Sequence, residues 1–460
     1  MTSDAEDRST WPRNGQVIRR AELLRLIEEN GGPKDLDLRG ALFVGDAPGG
    51  EPERNPIDLS PEALAPLAKA YEQANGGRKA PWIGPRGGIS LSEAQLQGAN
   101  LGGAGLQRAD FLFAQLQGAV LRRAKLEWAA AFCAQLEGAD LFAAGLQSVL
   151  LNSARLRGAS LDSANLEGAF LLNAELRGAK LRWAQLRQAS PSHAQLQQAD
   201  LSHADLREAA LWEAQLDGAI LHEADLQGAY LRRAQLQNVH LESAKIQRTD
   251  MYGVASLDAA YWYGALLDHT RIKRESLGKA IGDEIEAHKE KRAEAYHRAK
   301  EAYLLLKNNF DQIGRYEDAS WAYVKEQQME KMAFYWEWRS KGWRVWRGWG
   351  SFWRWFRNWA YELTTGYGER PWNAVRTGLA VVLAFAVGFW GTGAIGARGA
   401  VAFFDSFVYS ISAFATFNLA RPDLNPEGRG VEIASSLEAI LGIGVLALVV
   451  FTLGNRMSRG

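Results

Sequence analysis

The chain reads as a multidomain protein: a five-residue-period solenoid, then an α-helical hairpin, then a module of two transmembrane α-helices. Three observations carry this expectation. An apolar residue, most often leucine, recurs at every fifth position from Leu91 to Met251. Charged sequence with helical spacing follows it. The C-terminal end holds two apolar runs long enough to cross a hydrocarbon core of roughly 30 Å at about 1.5 Å per residue.

A length of 460 residues implies several domains. Lys+Arg and Asp+Glu both number 53, so no global field points to nucleic acid or to an acidic ligand. The single cysteine, Cys133, excludes an internal disulfide framework and is compatible with the cytosol. The start, Met1 to Asp7, lacks the charged-then-apolar order of a signal peptide. The bulk of the chain is therefore expected to stay on the side of the membrane where it is made.

Residues 1–87 are mixed, with short helices. Ala21–Glu28 has helical spacing and stops at Asn30-Gly-Gly-Pro33. Ser60 is placed as an N-cap, with Pro61 at the first position of a helix running to Tyr71. Between them, Asp35–Phe43 looks like an isolated fragment of the repeat that follows.

Residues 88–254 are ruled by the five-residue period. Leu91 to Met251 makes 33 quintets, with alanine two residues before nearly every leucine. On a helix this spacing would spiral the leucines around every face; on a strand it would send them to alternate faces. Only a chain that turns a corner once per quintet keeps Leu and Ala inside and the variable residues outside. This Ala-polar-Leu-X-X pattern resembles the pentapeptide-repeat family. The resemblance implies a right-handed quadrilateral β-helix, four quintets per coil. Ala131, Val149, Pro191 and Val239 break the pattern and mark expected distortions. His193 and His203 are half a coil apart, so they face opposite ways, and they read as surface histidines rather than metal ligands. The resemblance also raises DNA mimicry toward topoisomerases, which needs a strongly acidic face. Residues 91–251 carry 15 Lys+Arg and 17 Asp+Glu, interspersed, which is an ordinary solvated surface.

Residues 255–334 are expected to form a cytoplasmic helical hairpin. Glu284–Lys307 is one helix and the segment after the Gly314 break is its partner, in a spacing that resembles a single tetratricopeptide pair. Residues 335–373 are expected to form an interfacial helix and linker. Eight of the 17 tryptophans fall within residues 335–360, with five arginines. Trp343, Trp346, Trp349 and Trp353 share a helical face, with Arg344, Arg347 and Arg354 beside it. Tryptophan favours the headgroup level and arginine attracts anionic lipid, so these residues are assigned to the lipid interface. Stacking on single-stranded nucleic acid is the competing use of a Trp/Arg mix. Thr364-Thr-Gly-Tyr-Gly-Glu369 has the composition of an ion filter but precedes both spans, so it reads as a turn.

Residues 374–460 form the module that the rest serves. Thr377–Ala397 is uncharged, and Ile433–Gly454 is interrupted only by Glu438. Phe403–Thr416 lies between them, too short to span and suited to a re-entrant helix buried against protein. Asp405–Thr416, the loop with Pro422 and Pro426, and Leu441-Gly-Ile-Gly444 resemble the two-helix potassium-channel pore domain. The resemblance implies a filter at Thr416, Phe417, Asn418, Leu419, Ala420 and Arg421, with a gate hinge at Gly442 and Gly444. It fails at the filter itself, where that family has Thr-Val-Gly-Tyr-Gly-Asp. Ala420 adopts a positive φ only at a cost, and Arg421 stands where the family has an acid, so potassium selectivity does not carry over. A plain two-span anchor is the competing reading, but an anchor needs no half-length apolar run.

These segments predict an ion-channel-like membrane protein, a homotetramer by the resemblance, with a cytoplasmic rod that senses a signal or holds a partner. The alternative is a non-conducting membrane scaffold that presents the rod for protein–protein interaction. No metal cluster, phosphate loop or nucleophile constellation points to an enzyme, and no cofactor or nucleic acid is expected. The partners foreseen are the lipid bilayer, the chain itself, a permeant inorganic ion and a cytoplasmic protein. Arginines flank the first span on its N-terminal side, and Arg456 and Arg459 follow the second. The positive-inside rule then puts both termini in the cytoplasm of a cell-membrane protein.

Overall fold

The computed structural model describes residues 16–45, 56–341, 349–367, 369, 371–392, 400–414 and 429–457. They divide into two compact units: residues 1–289 with 308–313, and residues 290–307 with 314–460.

The first unit is a stack of coils, and its period follows from one turn repeated. In each quintet the alanine N–H donates to the leucine carbonyl three residues back, at 3.0 Å from Ala99 to Leu96. This closes a β-turn over two outward residues, the second at positive φ. Gly98 holds that position at 66° without steric cost, whereas Phe113 and Trp183 hold it at 57° and 61°. From Ser90 to Tyr230, Ser190 excepted, the residue before the leucine position of each quintet bridges in parallel to the residue twenty positions on, as in Gln95 to Gln115 to Gln135. A coil is therefore four quintets, and leucines and alanines from every side fill its interior.

The irregular positions show how strict the pattern is. Pro191 has no N–H for the Ala210 carbonyl, and the Ser192 hydroxyl donates to it instead at 3.1 Å. Ala131 replaces a leucine beside Phe111 and Val149, and all three line an interior cavity of about 20 Å³.

The stack extends beyond 88–254 at both ends. Asp35–Phe43 is not isolated: Asp37, Leu42 and Asp58 bridge to Gln95, Asn100 and Gly105, forming an additional coil. Strand β1 (Val17–Ile18) pairs in parallel with β2 (Leu42–Phe43), and helix α1 (Arg20–Glu29) buries Leu23, Leu24 and Ile27. Helix α2 (Pro61–Ala74) is capped as expected, the Ser60 side chain accepting from the Ala63 N–H. At the other end one residue is inserted after Met251, so Gln235 bridges Ser256 and His240 bridges Tyr261. Leu257, Trp262 and Leu267 continue the buried column. Residues 255–270 are thus repeat rather than hairpin, and helix α3 (Gly282–Glu290) comes later. A one-residue slip hides the period from a strict count of five.

Polar groups seal this end. Asn309 donates to the Thr270 carbonyl and accepts from its N–H, both at 2.9 Å. The buried carboxylate position of Asp283, in the first turn of α3, accepts from the Trp262 N–H at 2.7 Å. Burial pushes the Asp283 carboxyl up to about 7, with nearby Glu242 adding to the shift.

Helix α4 (Ala293–Gln312) and helix α5 (Tyr316–Lys341) form a hairpin broken at Gly314 with φ 75°, but the single helix expected over Glu284–Lys307 is divided, α3 ending at Glu290 and Lys291 standing at φ 53°. In the second unit Tyr303 meets Trp321 edge-on at 5.6 Å, and Lys300 pairs with Glu330 at 2.8 Å. Helix α6 (Trp349–Thr365), helix α7 (Pro371–Thr392), helix α8 (Ala400–Phe414) and helix α9 (Arg429–Met457) complete it.

Candidate functional site

Helices α7 and α9 are each long and apolar enough to cross a membrane. The 15 residues of α8 reach only about 22 Å and cannot span. Its direction follows from its contacts. Phe403 meets Trp390, Tyr409 meets Phe389, the Ser410 hydroxyl lies 2.8 Å from the Val382 carbonyl, and the Phe414 ring lies against Gly378. Numbers rise along α8 as they fall along α7, so the two are antiparallel. Ser410 contacts Glu438 and Phe414 contacts Gly442, a rise of four on both sides, so α8 and α9 are parallel. Gly442 lies 13 residues beyond Arg429. The end of α8 and the start of α9 are therefore about 20 Å apart along the axis.

The glycines expected to form a hinge differ from each other. A Cβ on Gly442 would lie 1.8 Å from the Phe414 carbonyl oxygen, whereas one on Gly444 meets nothing within 4 Å. Helix α9 runs through both. Gly442 is thus the point where the α9 backbone touches the end of α8. The filter positions Thr416 to Arg421 lie outside the described residues.

Three helices converge on Glu438. Its side chain is fully buried, as is that of Ser410. The Ser410 hydroxyl stands between the Val382 carbonyl and Oε1 of Glu438, and Oε2 is buried with no hydrogen-bond partner. Sequence reading passed over this acid as an interruption of the span, although a lone charge in an apolar run was itself the signal. Outward faces of the module are apolar: Trp372, Leu379, Val387 and Trp390 on α7, and Leu437, Leu446 and Val450 on α9 are exposed.

The interfacial assignment needs correction. Residues 335–360 are not one helix: Tyr335–Lys341 ends α5, and Trp349 opens α6. Trp343, Arg344, Trp346 and Arg347 lie outside the described residues. Helices α5 and α6 pack antiparallel, with Asn358 donating to Glu330 at 3.3 Å, Arg354 over the Phe334 ring at 5.6 Å and Trp338 against Phe352 at 5.4 Å. Trp355, which breaks the predicted face, meets Tyr335. The exposed stripe is Trp353, Phe356, Trp359 and Leu363, with Arg354 and Arg357 beside it. Part of the aromatic surplus thus makes a helix–helix seam, and Trp353 and Arg354 keep the exposure that an interface requires. Of the stretch read as a turn, Thr364 and Thr365 instead end α6, and Gly366 and Tyr367 turn after it: the Gly366 N–H returns to the Glu362 carbonyl at 2.8 Å, and Tyr367 is buried, which raises its phenol above the usual range.

The quintets match a family model. Eight copies of its unit fall on residues 89–127, 154–190, 192–222 and 219–254. They are pentapeptide repeats. Among solved structures, HetL, a pentapeptide repeat protein involved in heterocyst differentiation regulation from the cyanobacterium Nostoc sp. strain PCC 7120, is similar at 28% identity. That alignment covers 56% of this chain and 100% of HetL, with a TM-score of 0.33. QnrB1, a plasmid-mediated fluoroquinolone resistance protein, aligns at 16% identity over 38% of this chain and 86% of its own, with a TM-score of 0.23. Rfr23, a pentapeptide repeat protein from the cyanobacterium Cyanothece 51142, aligns at 29% identity over 21% of this chain and 60% of its own, with a TM-score of 0.11. No curated protein matches the chain.

The pentapeptide-repeat stack presents unlike faces. One carries Phe113, Phe170, Leu172, Trp212, Tyr230 and Tyr252, all exposed. On the opposite face Trp183 and His203 stack at 3.9 Å, and Nδ1 of His203 and Nε2 of His222 each lie 3.2 Å from the Glu223 carboxylate. His193 pairs with Glu213 at 3.5 Å on the aromatic side, half a coil from His203. Adjacent coils bring these partners together at intervals of about 20 residues, which is why charges interspersed in sequence pair locally.

Proposed function

We propose that this chain is an ion-channel-like membrane protein whose pore assembles from four copies of the C-terminal module. The observation that supports the reading is the order span, half-length helix, span, with α8 antiparallel to α7 and parallel to α9. Two spanning helices in one protomer cannot enclose a pore alone, so cyclic assembly is required. Residues Thr416, Phe417, Asn418, Leu419, Ala420 and Arg421 then line the constriction at the end of α8. Four Asn418 carboxamides offer donors and acceptors to an ion of either sign, and four Arg421 side chains favour anions and repel cations. The pore is weakly selective in consequence. Both termini and the repeat stack lie in the cytoplasm, where the stack senses a signal or binds a protein partner, and α6 lies along the lipid interface.

In planar bilayers under a KCl gradient, the reversal potential should sit near zero or toward the chloride value, and Arg421→Asp should move it toward cations. A reversal at the potassium value would refute the selectivity, and a monomer or strict dimer on cross-linking would refute the pore. The second reading, a non-conducting scaffold, draws support from the aromatic face of the stack, which is the kind of surface a protein partner covers. Absence of current from a reconstituted tetramer would favour it.

A further inference from the structure

Glu438 is the only acidic residue within either apolar span. Fully buried, it has no ion-pair partner among the described residues. The titratable groups on helices packed against α9 are Arg376 on α7, Asp405 and Tyr409 on α8, and Arg354, Arg357, Tyr361 and Glu362 on α6. None of them is a hydrogen-bond or ion-pair partner of Glu438, whose side-chain partner is Ser410. A bare carboxylate at that depth, without counter-charge, is among the costliest groups a membrane protein can hold.

Ser410 has one hydroxyl hydrogen and stands within reach of two acceptors, the Val382 carbonyl and Oε1 of Glu438. The carbonyl can only accept, so the serine hydrogen goes to it when both contacts are hydrogen bonds. The remaining hydrogen must then come from Glu438. We propose that Glu438 is a protonated, neutral acid that donates to Ser410, which donates to Val382, and that this directed chain across α9, α8 and α7 fixes the depth of the half-length helix. Loss of the proton to solvent would turn the serine hydroxyl toward the carboxylate and release Val382. Glu438 is thus a positioning residue for the proposed pore. The inference rests on the membrane reading of the module, but not on conduction.

The test uses full-length protein in phosphatidylcholine–phosphatidylglycerol vesicles. Infrared difference spectra of wild type against Glu438→Gln at pH 7 should contain the carbonyl stretch of one protonated carboxylic acid, shifted in D₂O. A carboxylate band alone in that difference would overturn the proposal. A second readout places cysteines at Phe389 and Tyr409, whose rings are 5.4 Å apart across α7 and α8, in a Cys133→Ser background. Oxidative cross-linking should be kept in Glu438→Gln, whose amide still donates, and fall several-fold in Glu438→Ala and in Ser410→Ala. Equal cross-linking in all variants would overturn the clamp. No cross-link even with Glu438 intact would overturn the helix arrangement itself, and with it the module reading, a result distinct from failure of the proton chain alone.

Discussion

Alanine at position 442 would place a methyl group 1.8 Å from the Phe414 carbonyl oxygen and 2.7 Å from its carbon. Ordinary contact begins at 3.4 Å, so α8 and α9 would have to part by about 1.6 Å at that level. The atom in the way is backbone at the end of α8, which cannot swing aside like a side chain. Overpacking of this kind typically costs about 1–3 kcal/mol. Against it stands the helix propensity of alanine over glycine, about 1 kcal/mol. The net expectation for Gly442→Ala is a loss of module stability. Gly444→Ala meets nothing within 4 Å, so only the propensity gain remains and the variant should match or exceed wild type. The assay is thermal unfolding of the detergent-solubilised protein, with the Phe389–Tyr409 cross-link as a geometric check. A pure hinge role would make both substitutions similar, since each removes one flexible residue. Equal effects, or a harmless Gly442→Ala, would refute the packing argument.

Three further outcomes follow from the geometry. Asp283 keeps its proton to about pH 7 when folded and loses it near pH 4 when unfolded, so its contribution to stability is present at low pH and lost as pH rises through that window. Asp283→Asn retains an acceptor for the Trp262 N–H and should melt above wild type at pH 8.5, the gap closing toward pH 5; a pH-independent gap would contradict the assignment. Leu166 is buried in the coil interior while Arg187 is outside, so Leu166→Ala should cost about 2–5 kcal/mol in denaturation of the full chain and Arg187→Ala under about 0.5 kcal/mol. Similar costs would place the quintet register elsewhere. Replacing Trp353 and Trp359 by phenylalanine should lower the quenching of tryptophan emission by lipids brominated near the headgroup, and unchanged quenching would remove the α6 stripe from the lipid interface.

Several elements were legible because they repeat or because length alone decides them. The Leu/Ala quintets fix an interior whatever else the chain does, since only one corner per five residues keeps both residue types inside. Thr377–Ala397 and Ile433–Gly454 are long enough to span, and Phe403–Thr416 is not. The Ser60–Pro61 start and the Gly314 break are local chemistry that needs no partner.

What required the folded chain was contact between positions unrelated by period. A single inserted residue after Met251 conceals the coils that run to Thr270, and only the shift of the bridges from twenty to twenty-one residues reveals them. The Trp/Arg-rich stretch has enough helical periodicity to suggest one amphipathic helix, but Trp355 belongs to a seam with α5 that no local pattern encodes. Gly442 and Gly444 are equivalent in sequence, and only the approach of Phe414 tells them apart. Glu438 was visible as a charge, yet its partner Ser410 lies 28 residues away on another helix. Periodicity records which face of an element is apolar; which neighbour covers that face is decided by tertiary packing, because hydrophobic burial is non-directional and the close fit of backbone to backbone is not.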